Sequence, residues 1–453
     1  MASLTPRATE ALAAFVFDTG YSAIPETTVR RAKASVLDWI GSAYSGKGSL
    51  TDRILHHLAG EFGGRRIATR VGYKRSGPPM EAALYNGAVS SVMEIDDVHE
   101  EAGIHAGIVV IPAALAVAEY TRSSGKDLIA SIVLGYDITV RLARAAGVSH
   151  YDFWHSTGTC NTFGAAAAAG KLLGLDPQRL TMALGLAGTQ AAGLWESLNR
   201  EGTMAKHLHS GRAASNGVFS ALLARDGFKG SRTIIEGEKG FLASSSRATE
   251  QDRIGLTKDL GNPFLIMRNF LKRYACCRTC FEGAEGIHTI FQDHHLSPGE
   301  IEGITATMIP RRVWLVGNPD PEDIFEAKFS LPFAMALIAV QGDAGLYEFS
   351  LKNLYHPAVR GLMGKIRIVS DPDLVPKTRV EVACKDGSCF VAEPTSRSLE
   401  PEEVKEKFVR NMSPLLKEKH LSEILSAVEN LDRMEDMTEL THLLKEKPVR
   451  RIE

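Results

Sequence analysis

Three short stretches of this chain crowd together residues that can move protons and hold anions. The first, GTMAKHLHSGRAASNG at Gly202–Gly217, packs Lys206, His207, His209 and Arg212 ahead of the apolar run VFSALLA. The second, EIDDVHEEAGIH at residues 94–105, holds Glu94, Asp96, Asp97, His99, Glu100, Glu101 and His105. The third, VSHYDFWHSTGTCNT at residues 148–162, brings His155 and Thr157. Each sets a His or Lys just before an apolar helix: His105 before IVVIPAALA, His155 before FGAAAAAG, and Lys206 with His209 before a helix that starts after Ser210. A helix N-terminus carries unpaired N–H groups and partial positive charge, so it attracts carboxylates. Ser210 and Thr157 are available as caps or donors. One such entrance is ordinary, but three within about a hundred residues suggest a pocket for a multiply charged anion. The acidic loop, pinned between apolar helices, is a place for a carboxylate with a shifted pKa.

That inventory suits removal of a proton next to a carboxylate. Charge then builds on carboxylate oxygens, where fixed cations and helix termini stabilise it. A base takes the proton, and an acid helps a hydroxyl leave.

The elements that must position these residues are mostly helices. Thr5 and Pro6 read as the cap and first position of an N-terminal helix, followed by a second opened by Pro25. A short Gly-containing basic segment comes next, with Val71 in a small strand, then a helix from Met80 to about Met93. Another helix is expected from Gly125 to Ala146. Five successive alanines after Gly164 imply close helix packing rather than exposure. From about Leu265 β-branched runs appear: 304–310, 365–371 and 379–394 read as strands, the last a hairpin with Asp386-Gly387 as a two-residue turn. Residues 325–340 read as a helix broken at Pro332, and amphipathic helices rich in Lys and Glu follow Pro394. The expected fold is mainly α: a large all-helical domain (1–264), a smaller inserted α+β domain (265–394), and a helical tail (395–453) rejoining the first.

With 453 residues and a net charge of −2, the chain shows no basic footprint for nucleic acid. No apolar stretch spans a membrane free of charges, and six cysteines in such length do not resemble a secreted disulfide framework. A cytoplasmic protein is expected. Cys277 and Cys280 have ligand spacing but no second such pair, so no metal is expected, and no P-loop or dinucleotide fingerprint is present. Cys384 and Cys389 should lie close across the hairpin, reduced.

At these loops the sequence resembles the MmgE/PrpD family, which includes 2-methylcitrate dehydratases, cis-aconitate decarboxylases and an iminodisuccinate epimerase. The resemblance rests on NGAVSSVMEIDDVH, IHAGIVVIPAALAVAE, HSTGTCNTFGAAAAAGKLLGLD and GTMAKHLHSGRAASNGVFSALLARDGF, and continues through IIEGEKGF, KRYACCRTC and EAKFSLPFAMA. It implies a homodimer and cofactor-free chemistry in a cleft between the domains. It places the active-site acid at Glu94 or Asp97, since this chain has EIDD where DFDD is usual. It matches the next loop's histidine to His105, at a spacing longer by one, the HPT-like histidine to His155, and the KPLH-like lysine to Lys206. His207 stands where proline is usual, and neither it nor Arg212 is required by the match. Many members carry a histidine where this chain has Phe281 and a tyrosine where it has Phe333; both positions are tied to chemistry in decarboxylase-like members. Lys272, Arg273 and Arg278 remain as carboxylate ligands from the smaller domain.

The expected activity is a cofactor-independent lyase, a dehydratase of a 2-methylcitrate-like di- or tricarboxylate. Alternatives are an epimerase (isomerase) or decarboxylase of a related acid, and a catalytically retired carboxylate-binding paralogue. Expected catalytic residues are Glu94, Asp97, His105, His155 and Lys206; expected substrate ligands are Thr157, His209, Ser210, Lys272, Arg273 and Arg278.

Overall fold

The computed structural model describes residues 7–198, 204–375, 378–450 and 452; Thr5, Pro6, Gly202 and Thr203 lie outside them. The fold is mainly helical with one small mixed sheet, and it divides into two compact units. The first comprises Met1–Val92, Asp96–Leu271 and Leu399–Ile452, the second Met93–Ile95 and Lys272–Ser398.

The first unit opens with α1 (Ala8–Asp18), α2 (Glu26–Ser45), α3 (Leu50–Phe62) and α4 (Pro79–Ser90). α3 had no counterpart among the expected pair; its start is fixed by Ser49, whose side chain accepts from the Asp52 N–H. Val71 lies in no strand, and only an isolated bridge joins Ala68 to Gly77. Next come α5 (Gly107–Thr121), α6 (Gly125–Tyr151), α7 (Ser156–Leu172), α8 (Pro177–Gly188), α9 (Ala205–Arg225), α10 (Phe241–Ser245) and α11 (Glu250–Gly255). α5 is apolar around its circumference and buried from Gly107 to Glu119, so its neighbours enclose it. The alanines 165–169 of α7 are all buried, where small side chains let helices approach closely. α4 and α9 cross at a glycine pair: a Cβ on Gly87 would stand 3.2 Å from the Gly211 Cα, and one on Gly211 would stand 2.5 Å from the Leu84 carbonyl oxygen.

The expected loop at 148–162 proves helical at both ends. α6 runs on to Tyr151 through a kink at Gly147, whose φ of 63° suits glycine. α7 begins at Ser156, so Thr157, Cys160 and Thr162 are helical rather than parts of the approach.

The second unit holds α12 (Phe281–Asp293), β1 (Ile301–Met308), α13 (Pro310–Val316), α14 (Ile324–Ala327), α15 (Leu331–Gln341), α16 (Leu351–Leu354), α17 (Pro357–Met363), β2 (Ile366–Ser370), β3 (Thr378–Cys384) and β4 (Cys389–Ala392). The sheet order is β2-β1-β3-β4, with β1 parallel to β2 and the other pairs antiparallel. The expected break within 325–340 falls just ahead of Pro332: α14 ends at Ala327, and α15 starts at Leu331 with Pro332 in its first turn, capped by Ser330, where its missing N–H costs nothing. The hairpin loop has three residues, Lys385 to Gly387: the Cys384 N–H donates to the Ser388 carbonyl, and Gly387 takes a φ of 90°. That register pairs Cys389 with Ala383, leaving Cys384 buried and Cys389 exposed, so the two thiols point to opposite faces.

The first unit closes with α18 (Pro401–Met412), α19 (Glu418–Glu429) and α20 (Thr438–Leu443). Two buried cations tie this segment to α2. Arg31 donates to the carbonyls of Leu399 and Asn269, and Lys407 pairs with Asp38 at 2.6 Å. No helix among the described residues is long and apolar enough to cross a membrane.

Candidate active site

α4 ends at Ser90, and Glu94 takes a left-handed backbone (φ 56°) that turns the chain before Asp96 and Asp97. Both aspartates are buried, but they do different things. The Asp97 carboxylate accepts from the N–H of Gly107, the first residue of α5, at 3.0 Å. It also accepts from the Tyr136 hydroxyl of α6 and the Asn269 amide, each at 2.5 Å. Burial pushes its pKa up to about 7, while the bonds from Tyr136 and Gly107 pull the other way. All three donors are groups of the protein itself, so Asp97 fastens the acidic loop to α5 and α6.

Asp96 faces His105. Its Oδ2 lies 2.7 Å from His105 Nδ1, and the carbonyl oxygen of Asp97 lies 2.8 Å from the same nitrogen. Both neighbours are acceptors, so Nδ1 carries the proton, and the lone pair of a neutral ring is at Nε2. The backbone of His105 is clamped onto α7: its N–H donates to Thr157 Oγ1 at 3.1 Å, and its carbonyl accepts from Asn161 Nδ2 at 2.7 Å.

His155 is the N-cap residue of α7, as its place before an apolar helix implied, and its N–H donates to the Gly193 carbonyl. Its Nδ1 lies 3.1 Å from His209 Nδ1 on α9, and Trp195 flanks its ring. A hydrogen bond between two imidazole nitrogens needs one donor and one acceptor. In the neutral pair, one ring therefore carries its proton at Nδ1 and the other at Nε2. Burial lowers the His209 pKa. Lys206 is buried in the first turn of α9, and His209 follows three residues later on the same face.

The third entrance is corrected in detail. α9 starts at Ala205, so Lys206 and His209 are within the helix rather than ahead of it. Ser210 is no cap: its buried hydroxyl donates to the carbonyls of Gly87 and His207. Thr157 likewise caps nothing, and its hydroxyl accepts from His105. The His207 ring is held by Thr51 Oγ1 at 2.9 Å.

Glu94, Lys272, Arg273 and Arg278 belong to the second unit. Lys272, fully buried, donates to the Glu94 carbonyl at 3.0 Å and lies 3.5 Å from its carboxylate. Arg278 donates to Glu282, which Arg312 also holds. Arg273 is 4.0 Å from Glu285 and lies over Tyr274. Each of these cations thus faces a carboxylate of the protein. Phe281 packs edge-on to Tyr274, with the Arg278 guanidinium 5.4 Å from its ring centroid, and Phe333 packs against Phe349; both are buried. Burial pushes the Cys277 and Cys280 thiols up, and no group of three His, Cys, Asp or Glu side chains able to hold a metal occurs among the described residues.

Sequence reasoning had passed over Tyr136, Asn161 and Asn269, and had left open which of Glu94, Asp96 and Asp97 faces the site. Asp96 could be found only as one of a run of acids, and Asn269, 172 residues from Asp97, carries no local signal at all.

Residues 10–253 match the MmgE/PrpD N-terminal domain, and residues 274–433 match the MmgE/PrpD C-terminal domain. The chain is 27% identical over 455 residues to the cis-aconitate decarboxylase of Aspergillus terreus, covering 93% of this chain and 92% of that protein. It is 27% identical over 457 residues to the cis-aconitate decarboxylase-like protein oryM of Aspergillus oryzae, with 93% and 94% covered. It is 26% identical over 464 residues to the cis-aconitate decarboxylase of Homo sapiens, with 96% and 94% covered.

Proposed function

This chain belongs to the MmgE/PrpD family, and from that premise we propose that it is a lyase acting on a small di- or tricarboxylate by proton transfer next to a carboxylate. The observation that carries this is the fixed tautomer of His105, whose Nδ1 meets two acceptors, Asp96 and the Asp97 carbonyl. Nε2 is then the base that removes a proton from the carbon beside a carboxylate. Lys206 binds that carboxylate as its oxygens gain charge. The departing hydroxide takes the proton held by the His105 imidazolium and leaves as water, steadied by an N–H of the His155–His209 pair, while the electron pair of the broken C–H bond forms an alkene. Asp97 and Thr157 are positioning residues in this scheme. The substrate it favours is a 2-methylcitrate-like hydroxy acid, and the reaction is dehydration.

Decarboxylation is the second reading, favoured by the cis-aconitate decarboxylases that match the chain almost end to end. Against it stand Phe281 and Phe333, apolar and buried, where the family pattern in decarboxylase-like members has a histidine and a tyrosine.

The test is an assay with a panel of hydroxy-tricarboxylates, following alkene absorbance, with cis-aconitate and carbon dioxide release in parallel. Alkene from the hydroxy acid supports dehydration, and carbon dioxide from cis-aconitate supports the second reading. Silence across the panel from folded protein sinks both. Lys206→Ala is expected to lower kcat/KM by about 10–100-fold, as loss of a charge-assisted contact does.

A further inference from the structure

A cavity of about 260 Å³ opens in the first unit, built from the end of α3, the loop that follows it and the start of α4. Arg66, Arg70 and Arg75 line it together with His56 and Glu81. None of the residues assigned above to proton transfer or substrate binding takes part.

Arg70 forms the floor. It is 3% exposed, and its buried Nε has no hydrogen-bond partner. Its nearest carboxylate oxygen, on Glu81, is 3.7 Å away, too far for a hydrogen bond, and its Nη1 lies 3.4 Å from His56 Nδ1. The guanidinium lies 5.7 Å from the Tyr73 ring centroid, His56 stacks on that ring at 3.7 Å, and Lys47 sits over it at 3.4 Å. Lys47 is already matched by Asp52 at 2.9 Å, so that pair adds no compensating charge. Arg66 and Arg75 are exposed at the rim, and among the described residues neither engages a carboxylate or makes a side-chain hydrogen bond. Glu81 is the one acid among the lining residues; Gly77 admits it, since a Cβ there would fall 1.6 Å from its Oε2. Three guanidinium groups against one carboxylate leave an excess of two positive charges around a space of small-molecule size.

A buried arginine with an unused N–H is costly unless something pairs with it. Forks arriving from several directions match an anion with at least three oxygens, whereas a planar carboxylate fills one fork. A phosphate carries about −1.5 to −2 charges at neutral pH, which balances the excess. We propose that this cavity is a binding site for a phosphate group, either inorganic phosphate or the head of a small phosphate monoester, separate from the carboxylate chemistry of the protein.

Isothermal titration and thermal shift with inorganic phosphate and with glycerol 3-phosphate, at fixed ionic strength, test it. Saturable binding of either at one site supports the proposal, and the tighter of the two identifies the source. Arg66→Ala/Arg75→Ala, at exposed positions, should weaken binding about tenfold or more and leave the unliganded midpoint unchanged. Arg70→Lys keeps the charge but loses the fork, and should weaken it similarly. If Arg70→Lys does not fold, the rim variant decides. No binding, unaltered binding in the rim variant, or an equal response to citrate or chloride would each overturn the assignment.

Discussion

Oδ2 of Asp96 lies 2.7 Å from Nδ1 of His105, and both belong to one loop whose ends are fixed by other groups. If His105 is the base, the Asp97 carbonyl holds the proton on Nδ1, and the neighbouring Asp96 carboxylate stabilises the imidazolium that forms. Asp96→Asn should therefore lower kcat by about 100-fold, with little change in KM, because substrate contacts are untouched. His105→Gln should cost at least as much, and the double variant no more than His105→Gln alone, since the two act as a unit. Steady-state kinetics on the four proteins decides it; additive losses would separate the pair.

The second aspartate makes a prediction about stability. Burial raises the Asp97 pKa from 3.8 to about 7. Between those values the folded state binds more protons than the unfolded chain, so this group's contribution is fully present below about 3.8 and is lost as pH rises through about 7. The Tyr136 hydroxyl opposes that loss, because it donates to the ionised carboxylate. Tyr136→Phe should cost about 1–3 kcal/mol at pH 8 and less at pH 5. Denaturant unfolding at both pH values measures it, and an equal cost at each would mean that Tyr136 does not stabilise the charge.

These two aspartates also show what a sequence can and cannot carry. That an acid-rich run between buried helices holds special carboxylates was legible in composition and pattern, as were most of the long helices, the four strands and the family motifs. Which of two adjacent aspartates meets the histidine was not. That depends on the left-handed turn at Glu94 and on Tyr136 and Asn269, groups distant along the chain. The helix starts at Ser156 and Ala205 were missed for a local reason. Polar residues such as Thr157, Asn161, His207 and His209 read as loop, yet they are helical because their side chains find partners on neighbouring segments. Phe281 and Phe333 were legible as departures, and their packing against Tyr274 and Phe349 explains how the fold accepts them.

The His155–His209 contact predicts a pH profile. If both rings were protonated at Nδ1, the 3.1 Å approach would become a repulsion between two donors. Burial lowers the His209 pKa from its ordinary 6.5, so the His209 ring stays neutral below that value. The acid limb of kcat/KM should then fall below pH 6.5. His209→Asn should reduce kcat by about 100-fold. An acid limb unchanged in His209→Asn would assign it to another group.

Gly158 offers the sharpest separation of stability from activity. A Cβ at this position in α7 would stand 2.6 Å from the Ala192 carbonyl oxygen and 3.2 Å from the His209 Cβ. The first contact is with backbone and cannot relax by a rotamer change, so α7 must shift from the segment after α8 that carries Ala192, and the second contact presses on His209 of α9. Overpacking of this kind costs about 1–3 kcal/mol, while replacing a helical glycine by alanine returns up to about 1 kcal/mol. Gly158→Ala should therefore fold with a slightly lowered midpoint but lose kcat at least about tenfold, because the displaced ring is His209. Gly361→Ala is the control: it lies within α17, and its added Cβ meets nothing within 4 Å. That variant should gain up to about 1 kcal/mol and keep full activity. Equal kinetics in the two glycine variants would mean that the His155–His209 spacing does not govern turnover.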